Sequence, residues 1–469
     1  MRKHKNKTVD FRRFLFWHGS CYNNIQRNIF VFTSKEYIGG RIMDMNVVLN
    51  AIKAEMKPSM GCTEPVAIAL AVSRTCEELA APAEKLDMVI SSNIFKNAYS
   101  VQIPNTGTYG IELACVLGAL VSKPGNTMEI CAEIKPEHVV KAKELVAAGM
   151  VKVEVLKSSG FYIECVATNA NEKAHTITVD AHDNMVFYEK DGKVIVDNRT
   201  TESVTSVETE GGFDVTKHTF EEFYHWANEV DVKELSFIRE AIDMNMEIAK
   251  IGMEKKYAFG VGPTIQNLMG KGLLANDVVN AVRMIPSAAA DFRMYGGNGS
   301  VMTFCGSGNQ GISTTLPMAV FAEKMNIPEE KLLRAEFMAM LMIMYMKKHV
   351  GRLSPVCGAM VAGTGSAAGM TYMMGGNFEQ ISGAIQNMMG SVAGIFCDGA
   401  KGGCAVKVAA CAGEAVYAAM YAMDGSMIGV SDGINSTLAE DTAKNLAKLS
   451  HEALADVDMK VIEIMQTKK

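Results

Sequence analysis

Four short segments of this sequence combine reactive side chains with turns that glycine permits. The first is Gly61-Cys62-Thr63-Glu64-Pro65, a break that sets a thiol just ahead of an apolar helix opening near Pro65. Backbone N–H groups at such a helix start favour a thiolate. The second is Gly306-Ser307-Gly308-Asn309-Gln310-Gly311, preceded by Met302-Thr303-Phe304-Cys305 and followed by a helix from Ile312. Successive N–H groups there can face one point, so a phosphate or a carboxylate is the expected guest, with a plain turn as the other reading. The third runs from His349 to Gly358 and places the cationic stretch Lys347–Arg352 ahead of Cys357. The fourth, Cys397-Asp398-Gly399-Ala400-Lys401-Gly402-Gly403-Cys404, sets two thiols seven positions apart with three glycines between them. That loop can fold back so that both sulfurs meet one centre, and Lys401 and Lys407 would stabilise thiolates. Iron–sulfur clusters need such thiolates, often from separated segments, whereas most free cysteines are small buried hydrophobes. Spacing alone leaves both readings open.

The elements that must position these groups fall into two kinds. Asn46 to about Ala81 reads as two helices around the Cys62 turn. Residues 85–205 read as an α+β unit. Leu86–Ser91, Tyr99–Ile103, Thr127–Ile134, Val151–Leu156, Phe161–Thr168, Ala174–Asp180, Met185–Lys190 and Lys193–Val196 are strand candidates there, and Pro136–Gly149 is a helix. Asp191-Gly192 is a hairpin turn, so the sheet is expected to be mostly antiparallel. Residues 200–215 read as a polar linker. From Thr219 the chain is helical, with Lys233–Met253, Asn276–Ile285 and Glu329–Lys348 as clear candidates, Asn276 as an N-cap and Pro286 as a stop. Leu353–Phe378 and Gln380–Cys397 carry no charge and reach membrane-span length, but their small and polar residues suit close-packed helices inside a large domain. The expected class is therefore α+β: a large mostly helical catalytic domain, 44–84 plus 213–469, with an inserted α/β subdomain of mostly antiparallel strands at 85–205.

Composition narrows the function classes. The 469 residues suit two or three domains, and a net charge of −6 carries no signature of nucleic-acid binding. Eleven cysteines without a CxxC pair argue against a zinc ribbon or a thioredoxin-type motif. Reduced thiols in the cytoplasm fit best. The 34 methionines read as soft core filling. Residues 1–43 form a basic tail with no apolar signal core, and the expectation is a translation start placed too early, with Met43 or Met45 as the start.

Read together and in order, GCTEPVAIA at 61–69, SSNIFKNAYSVQIPNTG at 91–107, DMNMEIAKIGM at 243–253, GSGNQG at 306–311, HVGRLSPVCGAMVAGTGSAAGMTYMMGG at 349–376 and FCDGAKGGCAVK at 396–407 resemble the L-cysteine desulfidase family. That family is related to the alpha domain of the iron–sulfur L-serine dehydratases, and the resemblance covers nearly everything from Met45 onward. It implies an oxygen-sensitive 4Fe-4S cluster with Cys357, Cys397 and Cys404 as permanent ligands. It makes Cys62 either a fourth, displaceable ligand or the base. Cys305 has no role in the family pattern, and Cys76, Cys115, Cys131, Cys165 and Cys411 read as structural.

The implied reaction is α,β-elimination, L-cysteine to sulfide, pyruvate and ammonia. An iron atom lacking a fourth protein ligand would act as Lewis acid, and a base would remove the Cα proton. Cys62 is the first candidate base, with Lys96 and His175 behind it. Ser307, Gly308, Asn309, Gln310 and Gly311 would hold the substrate carboxylate, with Asn97 and Arg293 adding polar contacts. Each has a bland alternative: Lys96 and Asn97 leading into a strand, His175 on an exposed strand, Glu64 supporting its helix, Arg293 in an ion pair. L-serine is the nearest alternative substrate. A pyridoxal-phosphate lyase, with Lys96 as Schiff base, would leave the cysteines unexplained. A non-enzymatic iron–sulfur redox sensor predicts four fixed cysteine ligands. The expected partner is a small amino acid, with no nucleic acid and no membrane, and the chain is expected to form a homo-oligomer.

Overall fold

The computed structural model describes residues 44–157, 160–199 and 213–468. The tail at 1–43 and most of the 200–215 linker lie outside the described residues. Met45–Lys469 forms one compact unit. It is α+β with a large helical part, as the sequence pattern indicates.

Alternation of apolar and polar side chains builds the main sheet. Its strands are β2 (Lys85–Ser91), β3 (Val151–Leu156), β4 (Tyr162–Thr168), β5 (Lys173–Val179), β6 (Met185–Lys190) and β7 (Lys193–Asp197), in the order β3-β2-β4-β5-β6-β7. Only β2 and β3 run parallel, with Leu86 opposite Val151, because the chain crosses over between them. The remaining pairs are antiparallel. On β4, Ile163, Cys165 and Ala167 point inward and their neighbours outward, as period two requires. That inner face packs with Ile68, Val72, Ala114 and Leu117 in one apolar core. The short strands β1 (Pro58–Met60) and β8 (Ser300–Met302) pair antiparallel and tie the start of the chain to its middle.

The helices come in two groups. First comes α1 (Met45–Ala54), whose Lys53 lies over the Phe237 ring, and around the sheet lie α2 (Thr63–Glu77), α3 (Ser92–Ala98), α4 (Ile111–Val121) and α5 (Pro136–Ala147). The second group is α6 (Phe220–Glu229), α7 (Ser236–Glu254), α8 (Val261–Gly270), α9 (Val278–Met294), α10 (Gly308–Met325), α11 (Glu329–Val350), α12 (Gly358–Met373), α13 (Phe378–Val392), α14 (Cys404–Met423), α15 (Ala439–Lys448) and α16 (Val457–Thr467). The uncharged stretch after Leu353 becomes α12, buried from Ala359 to Met373 and surrounded by α10, α11, α13 and α14. Among the described residues, α14 is the one helix long and apolar enough to cross a membrane, and over half of its apolar window is buried inside the fold.

Three local expectations are corrected. Tyr99–Ile103 is not a strand: it follows α3, and only Ile103 pairs, in a single bridge to Thr108. Thr127–Ile134 forms 3-10 turns within Pro124–Glu133, whose Met128, Ile130 and Cys131 are buried against α2 without a partner strand. A short apolar run does not by itself choose between strand and helical turns. Pro286 sits inside α9 rather than ending it, and the N-cap is Asp277, whose side chain accepts from Asn280 N at 2.9 Å. A proline costs its helix one hydrogen bond, and the burial of this one among apolar neighbours lets the helix continue.

Candidate active site

Three thiols are gathered by helix starts and one strand-like contact. Cys357 is the N-cap of α12, and Cys404 is the first residue of α14. Cys397 is brought to Cys357 by a bridge between Val356 and Phe396, with Cys357 N donating to Ile395 O at 3.0 Å and Cys397 N to Pro355 O at 2.6 Å. The loop to Cys404 folds back, so that Asp398 pairs with both Lys401 and Lys407. Burial pushes the Cys357 thiol up to about 11, and the neighbouring Cys397 and Cys404 push the same way against Lys407. Burial also raises Cys404, again with Cys397 adding to it and Lys407 and Lys401 opposing. Cys357 therefore feels both of the other thiols, and Cys404 feels Cys397. Among the described residues, no three Cys, His, Asp or Glu side chains are spaced to hold one metal ion. The donor set suits a cluster better than a single ion: soft thiols from separate segments, each able to take its own iron, with cationic residues and helix starts beside them.

Cys62 lies at the turn between β1 and α2. Gly61 adopts φ +63°, a left-handed conformation that glycine tolerates, and Cys62 becomes the N-cap of α2. It is 2 % exposed and packs with Val101, Met294, Ala400 and Cys404. Its Sγ donates to Glu64 Oε2 at 3.1 Å. Thr63 Oγ1 donates to the same oxygen at 3.0 Å, and Asn97 Nδ2 to Glu64 Oε1 at 3.0 Å. Burial, then the Glu64 charge, lifts the Cys62 thiol well above its ordinary range, against a smaller opposite pull from Arg293. The thiolate expected from the helix start is therefore not favoured: desolvation and a neighbouring carboxylate outweigh the helix dipole. Burial alone would raise Glu64, but nearby His182 and hydrogen bonds from Cys62, Asn97 and Thr63 hold it below the usual carboxylate value. A buried carboxylate thus sits against a protonated thiol.

Asn97 links this pair to the other thiols, since Cys397 Sγ lies 3.9 Å from Asn97 Oδ1. Lys96 is 1 % exposed, ion-paired to Asp458, and donates to Cys397 O at 3.0 Å. It props the thiol loop from behind. His175 stands on β5, with Nε2 2.8 Å from Glu164 and its ring against Phe187, and shares no partner with the thiols.

The glycine-rich segment begins α10, with the Ser307 side chain accepting from Gln310 N. A Cβ on Gly308 would lie 2.2 Å from Arg293 Nε, so only glycine lets the guanidinium cover this turn. Arg293 donates to Asn309 Oδ1 at 3.1 Å. Gly311 presses as closely on Met302 O. Arg293 and Gln310 are 3 % and 1 % exposed, yet Arg293 Nε and Gln310 Nε2 have no hydrogen-bond partner. Two buried donors left unspent are costly unless a ligand uses them. Gln310 stands beside Gly358, next to Cys357, and Arg293 is within electrostatic reach of Cys62.

Sequence reasoning undervalued Glu64, read as support for its helix, and missed His182. This histidine lies in the turn after β5, is 6 % exposed, and its Nε2 has no partner. Burial lowers it to about 4. With Ser59, Thr63, Thr303, Gly306 and Arg352 it lines a cavity of about 440 Å³. A second cavity, of about 540 Å³, includes Lys347, Arg352, Pro355 and Asp458 in its wall. Glu55, Asp180 and Arg352 belong to both. Lys347, buried beside Arg352 and the thiols, is lowered to about 8, mainly by desolvation. Its place in the cationic run ahead of Cys357 was the available signal.

Comparisons with known proteins give the chain's family. The chain is 34 % identical over 427 residues to a UPF0597 protein of Parabacteroides distasonis, covering 90 % of this chain and 98 % of that protein. It is 34 % identical to a UPF0597 protein of Photobacterium profundum (90 % and 99 % covered) and 36 % identical to one of Oleidesulfovibrio alaskensis (90 % and 98 %). Those names carry no substrate. The family model described as serine dehydratase alpha chain matches residues 126–463, which takes in Arg293, the 306–311 turn and the three gathered thiols and leaves out Cys62. That family supports a lyase-type function. With most of its length matched and its thiols, glycine turn and buried arginine all inside the match, this chain belongs to the serine dehydratase alpha chain family.

Proposed function

We propose that this protein is an iron–sulfur lyase that eliminates the β-substituent of a small L-amino acid, with L-cysteine as substrate and sulfide, pyruvate and ammonia as products. The observation that carries the reading is the meeting of the thiols of Cys357, Cys397 and Cys404 with the Cys62–Glu64 pair and the unspent donors of Arg293 and Gln310.

Cys357, Cys397 and Cys404 would hold a 4Fe-4S cluster. When bound, that group supplies a Lewis-acidic iron for the leaving sulfur or the substrate carboxylate. The chain's own residues do the rest. Arg293 and Gln310 hold the substrate carboxylate and fix the Cα–H bond relative to Cys62. Cys62 acts as base in concert with Glu64: as its Sγ takes the Cα proton, its own proton passes to the ionised Glu64 carboxylate to which it is hydrogen-bonded, so no free thiolate forms. Removal of the Cα proton leaves an electron pair that forms the Cα–Cβ double bond, and the sulfur departs with the Cβ–S pair as hydrosulfide. The 2-aminoacrylate product hydrolyses in water. Lys401 and Lys407 offset negative charge on the thiol loop. Family membership favours L-serine as the second reading, with water as the leaving group.

The test is anaerobic reconstitution with iron and sulfide, followed by sulfide release from L-cysteine and pyruvate formation from L-serine. Brown protein that releases sulfide is the expected result. Pyruvate from L-serine alone would move the substrate to serine. A protein that takes up no iron, or loads and attacks neither amino acid, would refute the reading.

A further inference from the structure

Lys347, near the end of α11, is a buried cation that the elimination does not use. It is 7 % exposed, and its Nζ donates to Arg352 O at 2.8 Å. Among the described residues no carboxylate pairs with it, and Glu55, an acid of the same cavity wall, is taken by Arg352. An ammonium held away from water without a counter-ion is costly unless a ligand supplies the charge. Lys347 lines the cavity of about 540 Å³. Ser450 and His349 line it too. Ser450 is 1 % exposed, and its Oγ, like His349 Nε2, is buried without a partner. His451 Nε2 lies 2.7 Å from His349 O, which ties the 449–453 turn to the end of α11. The other charges of the wall are matched. Arg352 binds both oxygens of Glu55 at 2.8 Å, Asp458 is paired with Lys96, and Lys157 and Lys348 equal Asp180 and Asp456 in number. Lys347 is the charge left over. Much of the remaining wall is apolar: Phe161, Met344, Val350, Leu353 and Pro355. The volume falls within the range of small-molecule sites, about 300–1,000 Å³, and is far more than a bare ion fills.

We propose that this cavity binds a small organic anion, its oxyanion head (carboxylate or phosphate) on Lys347 and Ser450 and its apolar body against the apolar part of the wall. A buried ammonium and a buried hydroxyl without a partner are the donors such a head satisfies. The site is separate from the Arg293–Gln310 cradle, since neither of those residues nor Cys62 lines the cavity. The inference therefore goes beyond the elimination reading and does not depend on it. The cavity still adjoins the thiols. Pro355 O accepts from Cys397 N, and Lys96, the partner of Asp458, donates to Cys397 O. An anion in this cavity thus lies beside two supports of the thiol loop.

The experiment is calorimetric titration of the full-length protein with hexanoate, hexyl phosphate, acetate and inorganic phosphate. At least one of the two long anions should bind, and the one that binds more tightly names the head. Acetate and inorganic phosphate, which have a head and no body, should bind more weakly. Lys347→Met should weaken the long anion by about tenfold or more, and Ser450→Ala by about fivefold. Arg293→Gln, which alters the substrate cradle, should leave that affinity unchanged. Ser450→Ala removes one oxygen and keeps the test open should Lys347→Met not fold. Absence of binding by both long anions would overturn the site. So would binding that Arg293→Gln abolishes and the two cavity variants leave intact. A short anion that binds as tightly as its long counterpart would refute the apolar body. Anion binding that depends on Lys347, in a protein that neither loads iron nor attacks an amino acid, would uphold this site and remove the elimination reading alone.

Discussion

Serine in place of Cys357, Cys397 or Cys404 exchanges a soft, ionisable sulfur for a hard hydroxyl that stays protonated at neutral pH. Each single variant is expected to bind less iron and sulfide than the parent on anaerobic reconstitution, whereas serine at Cys411, a buried thiol on α14, should leave loading intact. Full iron content in all three site variants would remove them as ligands. At Glu64 the change to Gln keeps the shape and removes the charge that accepts the Cys62 proton. Turnover should fall by about 10²–10⁴, with iron content unchanged. An active Glu64→Gln protein would return Glu64 to the supporting role that its helix position first suggested. Chemistry at these residues was partly legible in the linear sequence, because thiols flanked by glycines and lysines are unusual surroundings for structural cysteines. His182 was not legible: one histidine in a short turn carries no local signal, and only its burial in the fold, within electrostatic reach of Glu64, gives it meaning.

Elements act through their ends here. Gly308 opens α10 under the Arg293 guanidinium, and alanine at that position would put a Cβ where Nε now stands. Overpacking of this kind costs about 1–3 kcal/mol, and the displaced guanidinium should raise KM for the amino acid more than it lowers kcat. Steady-state kinetics that leave KM unchanged would refute the carboxylate cradle. Helix α16 reaches the thiol loop through Asp458, which pairs with Lys96 and also accepts from Asn93. Asp458→Ala strands a buried lysine, a loss of about 3–5 kcal/mol in comparable cases. The expected result is a clearly lower urea midpoint, and a midpoint equal to the parent's would mean that Lys96 finds water or another partner. Helix ends were readable wherever a cap residue or glycine marked them. Pro286 misled because a proline's stop signal yields when tertiary packing holds the helix together on both sides.

At the scale of the whole molecule, pH acts through burial. His182 has a folded-state value of about 4 against an ordinary 6.5. Below its ordinary value the unfolded chain takes up a proton that the folded chain refuses, so this group's contribution to stability is present above about 6.5 and is lost as pH falls toward 4. Urea unfolding at pH 7 and pH 5 should show a smaller loss for His182→Asn than for the parent. Equal losses would mean that His182 is solvated in solution. The same burial that creates this dependence makes the site: Cys62 with Glu64, Arg293 and Gln310 come from three separate stretches and meet only once α2, α9 and α10 have packed.

The sequence by itself determined the α+β class, the helical second half and the thiol-bearing segments, because those follow from periodicity, glycine placement and residue chemistry, all of which are local. Its ordered motifs also carried the family. Tertiary structure decided the states and partners of those groups. A thiol at a helix start is a thiolate by local rules, yet Cys62 is held protonated because desolvation and Glu64 outweigh the dipole. Lys96 is a nucleophile by type, yet Asp458 binds it as a prop. Which charge lies within a few ångströms, and how much water remains, are properties of the folded chain alone.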